Sequence, residues 1–198
     1  MKSVWKFFNY NYSKCWKFGK ECEWFFVFVG GLFALTFIFG FTFPIFFEEK
    51  IIEMIKLLML ELEGMKTIEL IGFIFLNNLK ASFFAFVLGI GFGILPIVTC
   101  VFNGYLLGFV ARYAVAEEGI FTLWKILPHG VFELPAVLFS IGIGLKLGLS
   151  VVDGRWLVGK DKGVGYVFRE GMRFFVFVVL PLLIIAGIIE GILVGLVN

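Results

Sequence analysis

The sequence predicts an all-α integral membrane protein, a polytopic bundle of about five transmembrane helices with one amphipathic interfacial helix. Hydrophobic residues make up 61% of its 198 positions, whereas soluble domains are only about 45–50% apolar. The run 24–43 carries no charge, and about 20 such residues suffice to cross hydrocarbon. The 24 glycines are also typical of membrane helices. We expect one integral membrane domain over 1–198, with no nucleic-acid partner.

The first third of this domain divides into three segments. Residues 1–23 form a basic segment, 24–47 a first transmembrane helix, and 48–69 an amphipathic helix too charged to cross. Apolar residues of the third segment recur at helical spacing, namely Ile51, Ile55, Leu58 and Leu62. This helix either lies on the membrane and shields apolar surface or binds a partner.

Residues 70–198 form the remaining membrane core, which begins with a tight helical hairpin over 78–116. Its turn is predicted at the glycine run 89–93, because glycines and Pro96 disfavour an unbroken helix. The sequence leaves open whether this hairpin crosses the bilayer or is re-entrant. Four further segments are predicted after the hairpin. They are a short interfacial helix over 121–127, a helix over 128–148, a loop over 150–173 and a last helix over 174–197.

The basic residues indicate an orientation in the cell membrane. Five lysines precede the first span, and five Lys or Arg residues lie in 150–173, whereas glutamates dominate 48–69. Because cytoplasmic loops carry excess Lys and Arg, we expect a cytoplasmic N-terminus and an extracytoplasmic C-terminus. The amphipathic helix is then extracytoplasmic.

Five polar residues are the candidate functional site. His129 and Glu133 are four positions apart and share a helix face, and Glu190 lies in the last helix. Asn77 and Asn78 are placed at the outer start of the hairpin. Since ionisable groups at membrane depth turn inward to partners or water, we expect all five to form one polar cluster in the outer half of the bilayer.

This cluster has two interpretations. Its members either tie helices together, or they bind a cation, proton or ligand. If it holds a metal, the ligands of a divalent cation would be His129, Glu133 and Glu190, and no other cofactor is expected. No catalytic residue is assigned, because the sequence lacks recognised hydrolase and phosphate-binding motifs.

Other residues are assigned to packing. Asn103 is expected to hydrogen-bond across the hairpin to its mate. The spacings Gly104-x-x-x-Gly108 and Gly144-x-x-x-Gly148 favour close helix contacts. The three cysteines form no C-x-x-C pair, so we expect free thiols at Cys15, Cys22 and Cys100.

The string His-Gly-Val-Phe-Glu-Leu-Pro-Ala at 129–136, with Asn77-Asn78, Asn103-Gly104 and Glu190, resembles the stage II sporulation protein M family. The resemblance extends from about residue 75 to the C-terminus. It implies a bacterial or archaeal membrane protein. The sporulation member belongs to the engulfment machinery and is assigned the role of holding cell-wall hydrolases in place, whereas most relatives have no assigned role.

Two functions follow as hypotheses. The first is a non-enzymatic membrane scaffold that positions membrane or cell-envelope proteins. The second is a small oligomeric transporter or channel-like protein that uses the His/Glu cluster. At 198 residues a transporter needs a second copy to build a pathway, so a homodimer is expected.

Overall fold

The computed structural model describes residues 2–152 and 163–197, with the backbone alone described at 2–3, 124–129, 131 and 190–197. The described residues are helical throughout, with short connections. The helices are α1 (Lys2–Glu21), α2 (Glu23–Thr42), α3 (Glu48–Leu62), α4 (Thr67–Val87), α5 (Ile94–Glu118), α6 (Leu123–Val152), α7 (Val164–Phe174) and α8 (Leu180–Val197). Short 3-10 turns cover Leu88–Ile90 and Ile120–Thr122, and a π turn over Phe175–Val179 joins α7 to α8.

Five helical segments of the described chain are long and apolar enough to cross a membrane, which confirms the predicted number. They are Glu23–Thr42, Thr67–Ile90, Ile94–Glu118, Phe132–Val152 and Val164–Ile189. The first agrees with the predicted run 24–43 to within one residue. Both arms of the hairpin, at 24 and 25 residues, have the length that full crossing requires.

The hairpin begins earlier than predicted, at Thr67 and not near Asn78. The Glu69 carboxylate accepts a hydrogen bond from the Lys66 backbone N–H (2.9 Å), which satisfies a donor at the helix start. Asn77 and Asn78 therefore lie inside α4, and their placement at its outer start was wrong.

The turn of the hairpin lies at the predicted glycine run. The backbone reverses between Leu88 and Ile94, with Phe92 and Gly93 in the left-handed region (φ 60° and 74°). At Gly93 a side chain would also meet Leu145 Cδ1 at 2.9 Å. Glycine therefore serves both the turn and its close approach to α6.

The helix after the hairpin is longer than expected. The separate helices predicted over 121–127 and 128–148 form one helix, α6, whose backbone stays helical through Pro128 and Pro135. Prolines are tolerated inside membrane helices because neighbouring groups can satisfy the carbonyls that they free. The sequence prediction of a helix start at Pro128 was therefore wrong.

The loop predicted over 150–173 is partly helical. Its residues 153–162 lie outside the described chain, but α7 begins at Val164 and continues into α8. The basic residues Arg169 and Arg173 suggested a loop, yet they belong to an amphipathic helix whose buried face carries Val167, Glu170 and Phe174. The last span is correspondingly longer than 174–197.

The basic N-terminal segment is also a helix, which the sequence analysis did not predict. Hydrogen bonds run through the junction at Cys22, whose N–H donates to Phe18 O and whose carbonyl accepts from Phe26 N–H, both at 3.0 Å. One face of α1 buries Asn11, Cys15 and Phe18 against α7 and the π turn. As predicted, no disulfide joins Cys15, Cys22 or Cys100, and all three side chains are buried.

The helices alternate in direction and define two ends of the bundle. The basic end holds the α1–α2 junction, the hairpin turn, the end of α6 and the start of α7. The acidic end holds the end of α2, α3, the end of α5 and the start of α6.

At the acidic end, Tyr105 joins α5 to the α2–α3 connection. Its hydroxyl lies 3.0 Å from Phe43 O and Phe46 O and accepts a hydrogen bond from Phe46 N–H.

The tightest packing involves glycines facing backbone. In the α2–α5 pair, a Cβ at Gly108 would lie 2.1 Å from Phe37 O, and one at Gly40 would lie 2.2 Å from Tyr105 O. In the α4–α6 pair, a Cβ at Gly89 would lie 2.0 Å from Gly144 O. The predicted role of Gly104-x-x-x-Gly108 and Gly144-x-x-x-Gly148 in helix packing is confirmed within the chain.

We predict that Gly108→Ala destabilises the protein, because the new methyl group has no room against the α2 backbone. Overpacking of this kind costs roughly 1–3 kcal/mol, so thermal unfolding in detergent should occur at a clearly lower temperature. Gly30→Ala on α2 is the matched control, since nothing lies within 4 Å of its added Cβ. Equal unfolding temperatures for the two variants would contradict the packing described.

Candidate functional site

The predicted polar cluster spans α4, α6 and α8, and the structure fixes the relative level of two of its members. Gly89, in the 3-10 turn that continues α4, packs on Gly144 of α6, and α4 and α6 run in the same direction. Asn78 and Glu133 each lie eleven residues before that contact. Eleven residues are close to three helical turns. Asn78 and Glu133 therefore lie at the same height along the bundle, and each is on the face of its helix that forms the α4–α6 interface.

Burial supports this arrangement for one asparagine and not for the other. Asn78 and Glu133 are half-buried, whereas Asn77 is exposed. Ser82 lies one turn beyond Asn78 toward the basic end and is fully buried. Its Oγ has no hydrogen-bond partner among the atoms that the structure describes. Asn78, Ser82 and Glu133 thus form a polar seam at the α4–α6 interface, and Asn77 points away from it.

His129 and Glu190 are placed by their backbones alone. His129 lies about one turn from Glu133, on the side of the acidic end. Glu190 lies three residues after Gly187 of α8. Gly187 packs beside Phe75 of α4, since an added Cβ there would be 3.7 Å from Phe75 Cβ. Since α4 and α8 run in opposite directions, the Glu190 backbone is also displaced from the seam toward the acidic end. The side chains of His129 and Glu190 lie outside the described part, so their convergence stays a prediction.

Asn103 does not bond as expected. Its side-chain amide donates to Thr99 O in its own helix at 2.8 Å, not across the hairpin to α4. This bond satisfies the amide locally, as is usual for short polar side chains in helices. The expected cross-hairpin bond was wrong.

The metal interpretation stays a prediction as well. Among the side chains that the structure describes, no three His, Cys, Asp or Glu residues lie close enough to hold a metal ion. Two of the three proposed ligands, His129 and Glu190, fall outside that set.

A second polar cluster lies at the basic end and was missed by the sequence analysis. Lys146 of α6 is only 2% exposed. Its Nζ donates to the main-chain oxygen of Glu21 at 2.8 Å and lies 3.7 Å from Glu21 Oε2. The rings of Phe18 and Phe25 face the ammonium at 5.1 and 5.8 Å. Because Glu21 ends α1, the ammonium also interacts favourably with the negative end of that helix dipole.

Residues of α7 extend this cluster. Tyr166 donates to the Glu21 carboxylate, with oxygen distances of 3.2 and 3.3 Å. Glu170 is buried at 6% exposure and pairs with Arg169 at 3.3 Å and with Arg173. The guanidinium of Arg173 also lies over the Tyr10 ring at 5.9 Å. We call Glu21, Lys146, Tyr166, Glu170 and Arg173 the basic-end cluster.

The basic-end cluster attaches α1 to the bundle through charges that are paired inside the protein. Paired burial is the arrangement that buried charges require. Cys15 lies beside it, and burial raises the pKa of the Cys15 thiol more than nearby Arg173 lowers it, which makes the thiol less reactive. A sequence signal was present, since Lys146 is the only charge in the run 134–152.

We predict that Lys146→Met loosens α1 without opening the rest of the bundle. Removing one partner of a buried ion pair leaves an uncompensated charge, so Cys15 and Cys22 should react several-fold faster with maleimide. Cys100, buried between α2 and α5, is the internal reference, and Lys20→Met on exposed Lys20 is the control. Mass spectrometry of the labelled peptides measures the rates, and unchanged rates at Cys15 and Cys22 would refute the attachment.

Comparison with known proteins agrees with the resemblance noted in the sequence. The family model described as stage II sporulation protein M matches residues 25–194. Uncharacterized protein MJ0706 of Methanocaldococcus jannaschii is 31% identical over 119 residues, which are 58% of this chain and 51% of the relative. Uncharacterized protein MJ0793 of the same organism is 30% identical over 119 residues, or 58% of this chain and 65% of the relative.

The matches thus span less than two thirds of the length of either relative. No solved structure matches the chain. The family model, in contrast, covers most of the sequence and includes all five candidate spans apart from residues 23 and 24 of the first. The chain therefore belongs to the stage II sporulation protein M family.

Proposed function

We propose that this protein is a non-enzymatic membrane scaffold that positions membrane or cell-envelope proteins. The observation that carries the proposal is the exposure of α3. Its first turn is anchored, since Ile51 is buried against Tyr105 and Phe109 of α5 and Tyr113 donates to the Glu48 carboxylate. Beyond that anchor the helix stands away from the bundle.

The second half of α3 is exposed around its whole circumference. Residues 56–61 are all exposed, and six consecutive residues cover every side of a helix. Leu57, Met59 and Leu60 are 61%, 68% and 66% exposed. Because α3 is too charged to cross the membrane, these apolar groups lie outside the spans, where they can contact a partner or the membrane surface. A helix fixed at one end and open at the other is suited to holding a partner.

The packing of the core also favours a scaffold and not a transporter or channel-like protein. In the described bundle, α2 meets α5 and α4 meets α6 with glycine against backbone, as at Gly108 and Phe37 O. Such contacts leave no room for a hydrated path between those pairs. The family's sporulation member, with its assigned role of holding hydrolases, is consistent with the same type of function.

A small oligomeric transporter or channel-like protein is the second candidate. It is favoured by the seam of Asn78, Ser82 and Glu133, which places a half-buried carboxylate and a fully buried hydroxyl at one helix interface. Polar groups at this depth are often part of ion or proton pathways. A homodimer would supply the additional helices that such a pathway needs, and we propose a dimer in either case.

We predict that α3 contacts protein in native membranes. A photoreactive amino acid at Met59 should give a discrete protein adduct upon illumination. The same amino acid at Leu35 of α2, which is 67% exposed, is the matched control and should give none, because that position faces lipid. Adduct mobility on a denaturing gel and mass spectrometry measure the outcome.

Two results would contradict the scaffold. One is the absence of any protein adduct at Met59, which would mean that α3 only covers membrane. The other is pH-dependent cation flux in proteoliposomes of the pure protein that Glu133→Gln abolishes. That second result would establish the transporter in its place.

The proposal includes placement in the cell membrane with a cytoplasmic N-terminus and an extracytoplasmic C-terminus. The distribution of Lys and Arg supports it, with Lys14, Lys17 and Lys20 on α1 at the basic end and Glu48 and Glu49 at the acidic end. The α1 side is then cytoplasmic and α3 is extracytoplasmic.

We predict opposite accessibility for thiols introduced in α1 and α3. In intact cells, Glu61→Cys should react with a membrane-impermeant maleimide, whereas Lys6→Cys should react only after the membrane is permeabilised. Both positions are exposed, and the native thiols give little background because Cys15 is 3% and Cys100 0% exposed. Labelling of Lys6→Cys in intact cells would reverse the orientation.

A further inference from the structure

The outward face of α4 carries a lysine where an apolar residue would be expected. Ser82, Ala85 and Phe86 are the buried residues of this helix, which packs on α6 and α8. Asn77 and Lys80 lie on the exposed face. Their neighbours on that face are apolar, with Leu76 at 50%, Phe84 at 53% and Leu88 at 43% exposure.

Lys80 lies near the middle of a membrane-crossing segment. The candidate span is Thr67–Ile90, so Lys80 is ten residues from one end and thirteen from the other. At 1.5 Å per residue these are about 15 and 20 Å. A lysine stem reaches only on the order of 6 Å, which is too short to bring the ammonium to either boundary of hydrocarbon about 30 Å thick.

The described part of the chain does not pair this charge. Among side chains that are described, none forms an ion pair with Lys80. Glu69, the other charged residue of α4, lies eleven residues away at the acidic end. An intramembrane lysine is expensive without a partner, and such residues normally face a protein or a water-filled cavity.

A second copy of the chain is a poor partner for this face. Two copies related by an axis along the membrane normal would bring equivalent α4 faces together. Lys80 would then lie opposite Lys80 at the same depth, and like charges at low dielectric repel. The favourable partner is an anion at mid-membrane depth, which in a transmembrane segment is an Asp or Glu side chain.

We propose that the Asn77–Lys80 face of α4 binds a transmembrane helix of another protein that carries a carboxylate near its middle. Lys80 pairs with that carboxylate, and the neighbouring Asn77 amide supplies a further hydrogen-bond donor. This inference rests on the proposed scaffold function and names the chemistry of one partner. The surface is distinct from α3, so the two can be tested separately.

The test measures association of the full chain with a designed helix in lipid vesicles. The probe is a 24-residue polyleucine peptide with a single central Asp, and its matched peptide has Leu at that position. Energy transfer from a donor at Ile90→Cys, an exposed position at the end of the span, reports binding. We expect the dissociation constant of the Asp peptide to be roughly 5- to 30-fold lower, the range seen for intramembrane polar contacts.

Variants assign the preference to the lysine. Lys80→Leu should remove the difference between the two peptides, and Lys80→Arg should retain it because the charge is kept. Lys66→Met is the control, because it removes a lysine that directly precedes α4 at the acidic end of the span. This variant should keep the preference for the Asp peptide. Lys80→Leu is expected to fold, since the substituted side chain is exposed among apolar neighbours.

Three results would overturn the proposal. The first is equal binding of the two peptides, and the second is an Asp preference that survives Lys80→Leu. The third is energy transfer between two copies of the chain that Lys80→Leu removes, which would assign the face to self-association. If the Asp preference is absent while Met59 still gives a protein adduct, the α4 partner is refuted and the scaffold stands. If both fail, the scaffold function fails as well.

Discussion

Close contact between glycine and backbone is the constraint on which the architecture depends. Lipid is as apolar as the helices, so membrane helices associate through packing and not through a hydrophobic driving force. Gly108 brings α5 onto the α2 backbone, and Gly89 with Gly144 brings α4 onto α6. The second contact also sets how far the hairpin extends along α6. That contact places Asn78 and Glu133 at the same level along the two helices.

The fold was predictable from sequence wherever apolar length decided it. The uncharged run 24–43 became α2 with a shift of one residue, and the glycine run 89–93 became the hairpin turn. The errors arose where charge or proline suggested a break. Arg169 and Arg173 indicated a loop, but both pair with Glu170, whose side chain lies on the buried face of α7. The Arg173–Glu170 pair has i, i+3 helical spacing and therefore had a sequence signal. The burial of Glu170 depends on tertiary packing, which a single sequence does not reveal.

The sequence could predict how far along their helices the candidate site residues lie, but not which way their side chains point. Asn77 and Asn78 are adjacent, so they point about 100° apart around the helix, and only contact with α6 decides which one faces inward. The burial of Ser82 depends on the same contact and had no sequence signal. Asn78 and Glu133 lie at one level along α4 and α6, and their joining in one cluster stays a prediction. The inward placement of Asn77 was wrong, because its side chain is exposed.

Two lysines in apolar surroundings show how the protein distributes its polar groups. Lys146 receives a carbonyl, a carboxylate and two aromatic rings from α1 and α2, so its charge is compensated within the chain. Lys80 is no less central to its helix, yet it has apolar exposed neighbours and no described ion pair. Both a buried lysine and a lysine at membrane depth require a counter-charge. Lys146 has its partner inside the fold, where it attaches α1, whereas Lys80 lies on an exposed face with no ion pair among the described side chains, which is the basis for proposing a partner protein there.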